Sequence, residues 1–273
     1  MPRLDIQTNS KKIIPPMELD IYVPEKNLAI EYDGLYWHSS DDGLNSNYHL
    51  HKTNECEKKN IQLIHVFENE WKEKCDIVKS RIQNLFGIYE KTVFARKCVI
   101  KELSSKDCRQ FLLENHIQGP VNAKANFGLF YNDTLVSLMT FSKTRFSKKY
   151  EWEMLRFCNK CSYHVPGAAS KLLKHFEKEY QPKSLVSYAD RRWSQGKLYK
   201  ALGFTLDHIS PPNYWYFKAN TLNLESRIKY QKHNLSKLLS NFDPMKTEIE
   251  NMIENSYHRI FDCGNLVFKK EYL

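Results

Sequence analysis

The 273-residue sequence lacks the features that indicate a membrane or secreted protein. No apolar run approaches the roughly 20 residues that a helix needs to span a bilayer, and the polar amino terminus is not typical of a signal peptide. Low-complexity tracts and internal repeats are also absent from the sequence. The seven cysteines lack the spacing of a disulfide framework, and the single CxxC motif at 158–161 has no second pair. We therefore expect a reduced, cytoplasmic protein without a zinc motif, long enough for two domains.

Charge is distributed unevenly along the chain. The 41 basic and 32 acidic residues give a net charge of +9. Residues 1–90 contain 11 basic and 15 acidic residues. Residues 91–273 contain 30 basic and 17 acidic residues. Aromatic residues interleave the basic stretches, as in 143–150 and 191–199, where they could contact sugars or bases. This asymmetry predicts an acidic part that concentrates cations and a basic part that binds phosphates.

Two runs of alternating apolar residues predict a β-hairpin near the amino terminus. The runs are Met17–Val23 and Leu28–Asp33, and residues 24–27 between them are typical of a turn. Pairing of Val23 with Leu28 sets apolar residues opposite one another. A slip of one residue would set each carboxylate opposite an apolar side chain, so the apolar pattern predicts this register.

In this register four carboxylates lie on one face of the hairpin, as two facing pairs. Glu18 faces Asp33, and Asp20 faces Glu31. Like charges directly opposite each other repel and are unfavourable. A bound Mg²⁺ or Mn²⁺ ion, which prefers carboxylate oxygen, would make the same arrangement favourable. The alternative is an acidic face solvated by water. We predict a divalent-metal site formed by these four residues.

A helix that begins near Tyr48 is predicted after the hairpin. Its three- and four-residue spacing places four side chains on one face, namely His49, Lys52, Thr53 and Cys56. The next strand, Ile61–Phe67, is apolar on both faces, as a central strand should be. A helix covering this sheet would present His49 and Lys52 to the carboxylates.

Acids together with a histidine and a lysine suit metal-assisted hydrolysis of a phosphodiester bond. The metal polarises the phosphoryl oxygen and acidifies a water, while a histidine or lysine relays protons or holds the phosphate. Taken singly, each nearby histidine is more often structural or at the surface than catalytic. Position relative to the acidic hairpin favours His38 and His49 over His51 and His65.

The segment LDIYVPEKNLAIEYDGLYWH, followed by YHLHKT and IHVFENEW, resembles a known family over about residues 11–86. It is similar to the core of the very-short-patch-repair endonucleases and their phage homing-endonuclease relatives, a branch of the PD-(D/E)xK superfamily. The resemblance implies a restriction-endonuclease-like mixed sheet and metal-dependent cleavage of DNA. It implies that Asp33 is the principal metal ligand. The supporting acids would be Glu18, Asp20 and Glu31. The groups that transfer protons or contact phosphate would be His38, His49 and Lys52. Two features depart from the family: no four-ligand zinc site is evident, and no (D/E)xK triplet follows Asp33.

A second resemblance covers about residues 96–218. The predicted alternation of strands and helices, with HVPGAA before one helix and LYKALGF closing the next, is similar to the GNAT acetyltransferase fold. In that family a Gly-rich turn at a helix amino terminus offers free amides to the cofactor pyrophosphate. Gly167, Ala168 and Ala169 occupy the matching positions, while His164 replaces the usual Gln or Arg. The scaffold could bind acetyl-coenzyme A, or it could serve as a platform that binds DNA.

As a DNA-binding platform, the basic part of the chain offers two regions. Asp190-Arg191-Arg192-Trp193 follows the carboxyl end of a predicted strand, a usual ligand position in open sheets, although it could equally be a surface loop. The basic helical segment from Asn220 could extend the contact or brace the second domain. The DNA-binding candidates are Arg145, Lys148, Lys149, Arg191, Arg192, Trp193, Arg227, Lys229 and Lys232.

The sequence therefore predicts an α/β (α+β) chain of three parts: a nuclease domain at 1–90, a GNAT-like domain at 91–219 and a basic helical extension at 220–273. The favoured function is a DNA endonuclease dependent on Mg²⁺ or Mn²⁺, of the homing type, in the host cytoplasm if phage-encoded. Double-stranded DNA is the expected partner, and cutting both strands would need a homodimer or sequential nicking. The alternatives are an acetyl-CoA-dependent acetyltransferase acting on nucleic acid or protein, and a catalytically silent DNA-binding protein.

Overall fold

The structure is a computed structural model that describes residues 4–36, 46–144 and 148–272. It is a mixed α/β protein that divides into two compact units, each made of separate stretches of the chain. The first unit comprises Met1–Glu73, Asp190–Gln195 and Ser210–Asn265, and the second comprises Lys74–Ala189, Gly196–Ile209 and Leu266–Leu273. In the described residues no helix is both long and apolar enough to cross a membrane. The three-part domain division stays a prediction.

Strands and helices are numbered in chain order. The strands are β1 (Gln7–Ile14), β2 (Met17–Val23), β3 (Leu28–Asp33), β4 (Gln62–Phe67), β5 (Lys91–Thr92), β6 (Val99–Glu102), β7 (Ala125–Tyr131), β8 (Thr134–Lys143), β9 (Trp152–Asn159), β10 (Tyr163–His164), β11 (Ser184–Asp190), β12 (Thr205–Ile209), β13 (Tyr214–Lys218), β14 (Glu225–Ser226), β15 (Tyr257–Phe261) and β16 (Asn265–Glu271). The helices are α1 (Tyr48–Lys58), α2 (Glu68–Glu73), α3 (Cys75–Leu85), α4 (Ser105–Asn115), α5 (Ala168–Tyr180), α6 (Lys197–Ala201), α7 (Lys232–Leu238) and α8 (Glu248–Glu254).

A four-stranded sheet in the order β1-β2-β3-β4 forms the centre of the first unit. β2 and β3 are antiparallel, and the predicted register is confirmed because Val23 pairs with Leu28 and Ile21 with Ile30. β3 and β4 are parallel. α1 begins at Tyr48 as predicted and buries the four side chains of its predicted inner face, His49, Lys52, Thr53 and Cys56.

β4 lies at the end of this sheet, not at its centre as its apolar sequence predicts. It is nevertheless buried along almost its whole length. The segment 190–195 covers its outer edge, where the main-chain N–H of His65 donates to the carbonyl oxygen of Arg192 at 3.1 Å. A distant part of the chain thus supplies the cover that the apolar strand requires.

The carboxyl-terminal segment is not the predicted helical extension. It contains two short helices, α7 and α8, together with the strands β14, β15 and β16. β15 pairs along its whole length with β13, and β16 joins the large sheet of the second unit. The basic and apolar pattern over 224–239 predicts one helix there, but only α7 is α-helical in this stretch and β14 pairs with β13 instead.

The second unit is built on a seven-stranded sheet in the order β12-β16-β11-β9-β8-β7-β6. Antiparallel pairing joins β6 through β9, whereas β11 runs parallel to β9. α5 connects these two parallel strands and packs its apolar face on the sheet, where Phe176 stacks on Phe141 with ring centroids 3.7 Å apart. The core of this unit therefore lies between α5 and the central strands.

Candidate functional site

In the first unit a buried carboxylate lies between two imidazole rings. Asp33 is the last residue of β3, His65 lies in the neighbouring strand β4, and His49 projects from α1. Asp33 Oδ2 lies 2.9 Å from His65 Nδ1, and Asp33 Oδ1 lies 3.5 Å from His49 Nε2. The three side chains are at most 3% exposed. We call these three residues the Asp33 cluster.

The far nitrogen of each imidazole also has a protein partner. His49 Nδ1 lies 2.7 Å from the carbonyl oxygen of Phe261, and His65 Nε2 lies 3.0 Å from Thr53 Oγ1. Thr53 follows His49 by one helical turn, so the same face of α1 supplies both groups. These contacts fix the orientation of both rings.

Charges within the Asp33 cluster oppose the cost of burial. Burial alone would raise the pKa of Asp33, but His65 and His49 hold that pKa well below its ordinary value. Burial would likewise lower the pKa of His49, yet the Asp33 carboxylate raises it. For His65 burial prevails and the pKa is lowered. The pKa values of the two histidines are therefore shifted in opposite directions.

The other hairpin carboxylates have separate partners. Lys52 Nζ donates to Glu31 Oε2, both groups being buried. Burial raises the pKa of Glu31 to about 7 although Lys52 opposes the shift. Asp20 Oδ2 accepts the main-chain N–H of Tyr32 at 2.8 Å, and Glu18 lies 3.9 Å from Lys11 at the surface. The four acids thus do not form one oxygen-lined site.

Two of the predicted DNA-binding arginines are buried in the first unit. Arg191 donates to Glu57 Oε2 at 2.7 Å and to Asn54 Oδ1 at 2.8 Å. Arg192 donates to Glu70 and Asp190, each at 3.0 Å. Burial would lower the pKa of Arg192, but the carboxylates of Asp190 and Glu70 raise it above its ordinary value. These arginines act as ion-pair partners inside the unit.

The remaining predicted site residues lie in different places. His38 and Arg145 fall outside the described residues. Trp193 is buried. Five predicted DNA-binding residues are exposed, namely Lys148, Lys149, Arg227, Lys229 and Lys232. Lys149 pairs with Asp207 at 2.9 Å and Lys229 with Glu225. A DNA-binding role for these residues stays a prediction.

In the second unit the parallel strands β9 and β11 separate soon after they begin to pair. The ladder joins Trp152 with Leu185 and Glu153 with Val186. At the next position the side chain of Ser187 donates to the carbonyl oxygen of Met154 at 2.8 Å. On the other side of β9, in its ladder with β8, Met154 pairs with Phe141 and Arg156 pairs with Thr140. Phe141 and Thr140 are consecutive, so Leu155 is an extra residue of β9 between these two pairs. β9 therefore carries a β-bulge where it leaves β11.

The helix α5, which follows β9, begins beside an open groove of about 410 Å³. Gly167, the residue that caps the amino terminus of the helix, has a φ of +82°, a conformation that L side chains rarely adopt. Three cationic side chains line the groove, those of Arg96, Lys171 and Lys174. Lys171 Nζ also donates to the carbonyl oxygens of Ala95 and Cys98, at 3.0 and 2.6 Å. A helix amino terminus among cations favours an anionic ligand.

Comparison with known proteins gives structural neighbours only, since neither a family model nor a curated protein matches the chain. An acetyltransferase of Bacillus subtilis in complex with CoA is 12% identical with a TM-score of 0.36, over 65% of this chain and 100% of that one. A GNAT family acetyltransferase from Elizabethkingia anophelis with acetyl-CoA bound is 12% identical with a TM-score of 0.34, and the match covers 64% of this chain and 99% of that one. An IAA acetyltransferase from Bacillus cereus is 16% identical with a TM-score of 0.37, and the match covers 64% of this chain and 99% of that one. Likeness at this level does not by itself establish an activity.

These findings correct the sequence-based assignment to the PD-(D/E)xK homing endonucleases. The structures named above are acetyltransferases, and none of them is a restriction-endonuclease-like nuclease. The predicted endonuclease activity and the Mg²⁺ or Mn²⁺ cofactor are therefore wrong. The structure supplies a physical reason, because Glu31, Asp20 and Glu18 are each held by a different partner.

Sequence reasoning missed two groups of residues. The sequence favours His38 and His49 over His65, although a histidine within the apolar run LIHVF indicates a buried group that needs a polar partner. Arg96, Lys171 and Lys174 were not selected either. Their convergence on one groove depends on the packing of residues 94–98 against α5, which no local pattern reveals.

Proposed function

We propose that the second unit is a coenzyme A-dependent acetyltransferase that acts on nucleic acid or protein. The observation that carries this proposal is the β-bulge at Leu155, where β9 leaves the parallel strand β11. β-bulges occur often next to active sites, where they redirect a strand. The diverging edge of β9 offers a place at which an extended ligand can add to the sheet.

The chemistry of coenzyme A suits this arrangement. Its pantetheine arm is extended and carries amide groups, which can hydrogen-bond with the main chain as a strand does. Its phosphates are anions, and Arg96, Lys171 and Lys174 line a groove at the start of α5. The first turn of a helix adds main-chain N–H groups and the positive end of the helix dipole. Both ends of the cofactor thus have complementary groups in the second unit.

Acetyl transfer needs an acceptor nucleophile and a proton for the departing thiolate. An acceptor amine attacks the thioester carbonyl, a carbon–nitrogen bond forms, the carbon–sulfur bond breaks, and the amine proton is released. Tyr199 of α6 brings a phenol group to within 3.4 Å of Ser187 Oγ, beside the point of divergence. We propose Tyr199 as the acid that protonates the thiolate; the amine proton passes to solvent, and a proton from solvent restores the phenol.

The test is release of free thiol from acetyl-coenzyme A by the full-length protein, first with histone-like peptides and then with oligonucleotides as acceptors. The proposal predicts acceptor-dependent thiol release that Tyr199→Phe reduces at least about 10-fold, in the range usual for a general acid. Equal thiol release with and without every acceptor, or none at all, would overturn the acetyltransferase proposal.

Double-stranded DNA remains the proposed partner. The net charge of +9 supports it, and exposed cations such as Lys148, Arg227 and Lys232 could contact phosphates. Binding of a fluorescent duplex, measured at several salt concentrations, tests this. A phosphate-binding surface predicts affinity that falls steeply with salt, and affinity independent of salt would contradict it.

A further inference from the structure

We propose that Asp33, His49 and His65 form a Zn²⁺ site inside the first unit. The acetyltransferase chemistry proposed for the second unit does not use these residues. The site differs from the magnesium site expected from the hairpin, because nitrogen atoms supply two of its three ligands. It also includes His65, which the sequence did not indicate.

The spacing of the potential ligand atoms suits a small divalent ion. One atom from each side chain lies within 4.8 Å of the other two. With bonds of about 2.0–2.1 Å, tetrahedral zinc places its ligand atoms roughly 3.3 Å apart. The separation of 3.5 Å between Asp33 Oδ1 and His49 Nε2 is already near this value. The other separations, which are at most 4.8 Å, would have to shorten by up to about 1.5 Å to reach that spacing.

The surroundings of the two imidazoles are those of metal ligands. Metal-binding histidines almost always use the second ring nitrogen in a hydrogen bond to a carbonyl, carboxylate or water, which fixes the tautomer and the ring plane. His49 contacts the carbonyl oxygen of Phe261 in this way, and His65 contacts the hydroxyl of Thr53. Nε2 of His49 and Nδ1 of His65 then face the Asp33 carboxylate.

The nature of the donor atoms indicates which metal binds. Mg²⁺ and Ca²⁺ select oxygen ligands, whereas imidazole nitrogen suits zinc and other first-row transition metals. The nearby cations Lys52 and Arg192 are committed to Glu31 and Glu70. Within the described residues, Asp33, His49 and His65 form the candidate metal group, which leaves a fourth zinc position for water. Three protein ligands and a water are the arrangement of catalytic zinc sites.

The first experiment measures metal binding by the intact wild-type chain. The protein is stripped with a chelator and titrated with Zn²⁺ against a chromophoric competitor, and bound metal is counted by mass spectrometry. The proposal predicts one zinc per chain, and tetrahedral visible absorption when Co²⁺ replaces Zn²⁺. Less than a tenth of an equivalent bound at saturating free zinc would overturn it.

A second experiment locates the metal with matched variants. His49→Gln and His65→Gln each remove a proposed ligand, whereas His51→Gln changes an exposed histidine of the same helix. Zinc affinity should fall about 100-fold or more in the first two variants and stay unchanged in the third, because loss of only a hydrogen-bond partner of a metal ligand already costs about 10–100-fold. Thr53→Val, which keeps the side-chain shape, should lower affinity by about 10–100-fold.

Folding of each variant is checked by circular dichroism. If a ligand variant does not fold, ring-nitrogen NMR spectra of the wild-type protein decide the question. Zinc should shift the ring nitrogens of two of the ten histidines, and the spectrum of His51→Gln should retain both shifted signals. Equal zinc affinity in His51→Gln and His65→Gln, or shifts on histidines other than 49 and 65, would contradict the assignment. Coenzyme A binding by the same samples reports separately on the second unit.

Discussion

Ser187 Oγ donates a hydrogen bond to the carbonyl oxygen of Met154 at 2.8 Å, at the position where β9 and β11 cease to pair. A side-chain hydroxyl here takes the place of the next main-chain bond of the ladder. The bulge at Leu155 follows immediately. This contact therefore fixes where the two strands separate, which is the feature on which the proposed cofactor site depends.

Removal of this hydroxyl should weaken both the fold and the proposed cofactor site. Ser187→Ala leaves a buried carbonyl oxygen without its partner, at a cost of about 1–3 kcal/mol in the free energy of unfolding. Ser137→Ala is the matched control, since Ser137 Oγ donates to the carbonyl oxygen of Cys158 at 3.2 Å within the same sheet. Urea denaturation should show a similar loss in both variants. Calorimetry should show weaker coenzyme A binding in Ser187→Ala alone, and equal binding in the two would contradict the role of the divergence.

Charge reversal in the groove at α5 should weaken binding of a phosphate-bearing cofactor. Lys174 lines the groove, whereas Lys178 is exposed one turn later on the same helix. Lys174→Glu should lower the affinity for coenzyme A about 10-fold or more, since each 1.4 kcal/mol is a tenfold change. Lys178→Glu should change it little. Similar affinities in the two variants would show that the phosphates bind elsewhere.

The buried pair of Lys52 and Glu31 should be essential to the stability of the first unit. Lys52→Met leaves Glu31 without its cationic partner in the interior, and loss of one partner of a buried pair typically costs about 3–5 kcal/mol. The double variant Lys52→Met, Glu31→Gln should recover most of that loss. Chemical denaturation of the single and double variants measures the difference, and equal stability of the two would contradict a buried ion pair.

His116 should make the second unit sensitive to acid. Burial, assisted by the cationic side chains of Arg156 and Arg81, holds its pKa well below the ordinary value of 6.5. Below pH 6.5 the unfolded chain takes up a proton that the folded chain does not, so stability falls by as much as about 1.4 kcal/mol per pH unit. Denaturation midpoints between pH 7 and pH 5 should fall more steeply for the wild type than for His116→Gln. Parallel pH profiles would rule out this contribution.

Elements governed by local pattern could be predicted from the sequence. Alternation of apolar residues predicted the pairing of Val23 with Leu28, because a slip of one residue would set each carboxylate opposite an apolar side chain. Helical spacing likewise predicted the buried face of α1, including His49 and Lys52. Both cases depend on residues close together in sequence.

Features that depend on distant segments could not be predicted in this way. Arg191 and Arg192 resembled an exposed phosphate-binding loop, yet segment 190–195 belongs to the first unit and their charges pair with Glu57 and Glu70. Asp33 acquires its partner His65 only when β3 and β4 lie side by side. The four acids of the hairpin share a face in the sequence pattern, but long-range partners give each a different environment.

We propose that the second unit binds coenzyme A where β9 and β11 diverge, and isothermal titration of the full chain with acetyl-coenzyme A tests this proposal. We expect one binding site per chain with micromolar affinity, weakened by Lys174→Glu and by Ser187→Ala. An absence of binding at millimolar cofactor, or binding unchanged in both variants, would show that the cofactor does not bind at this place.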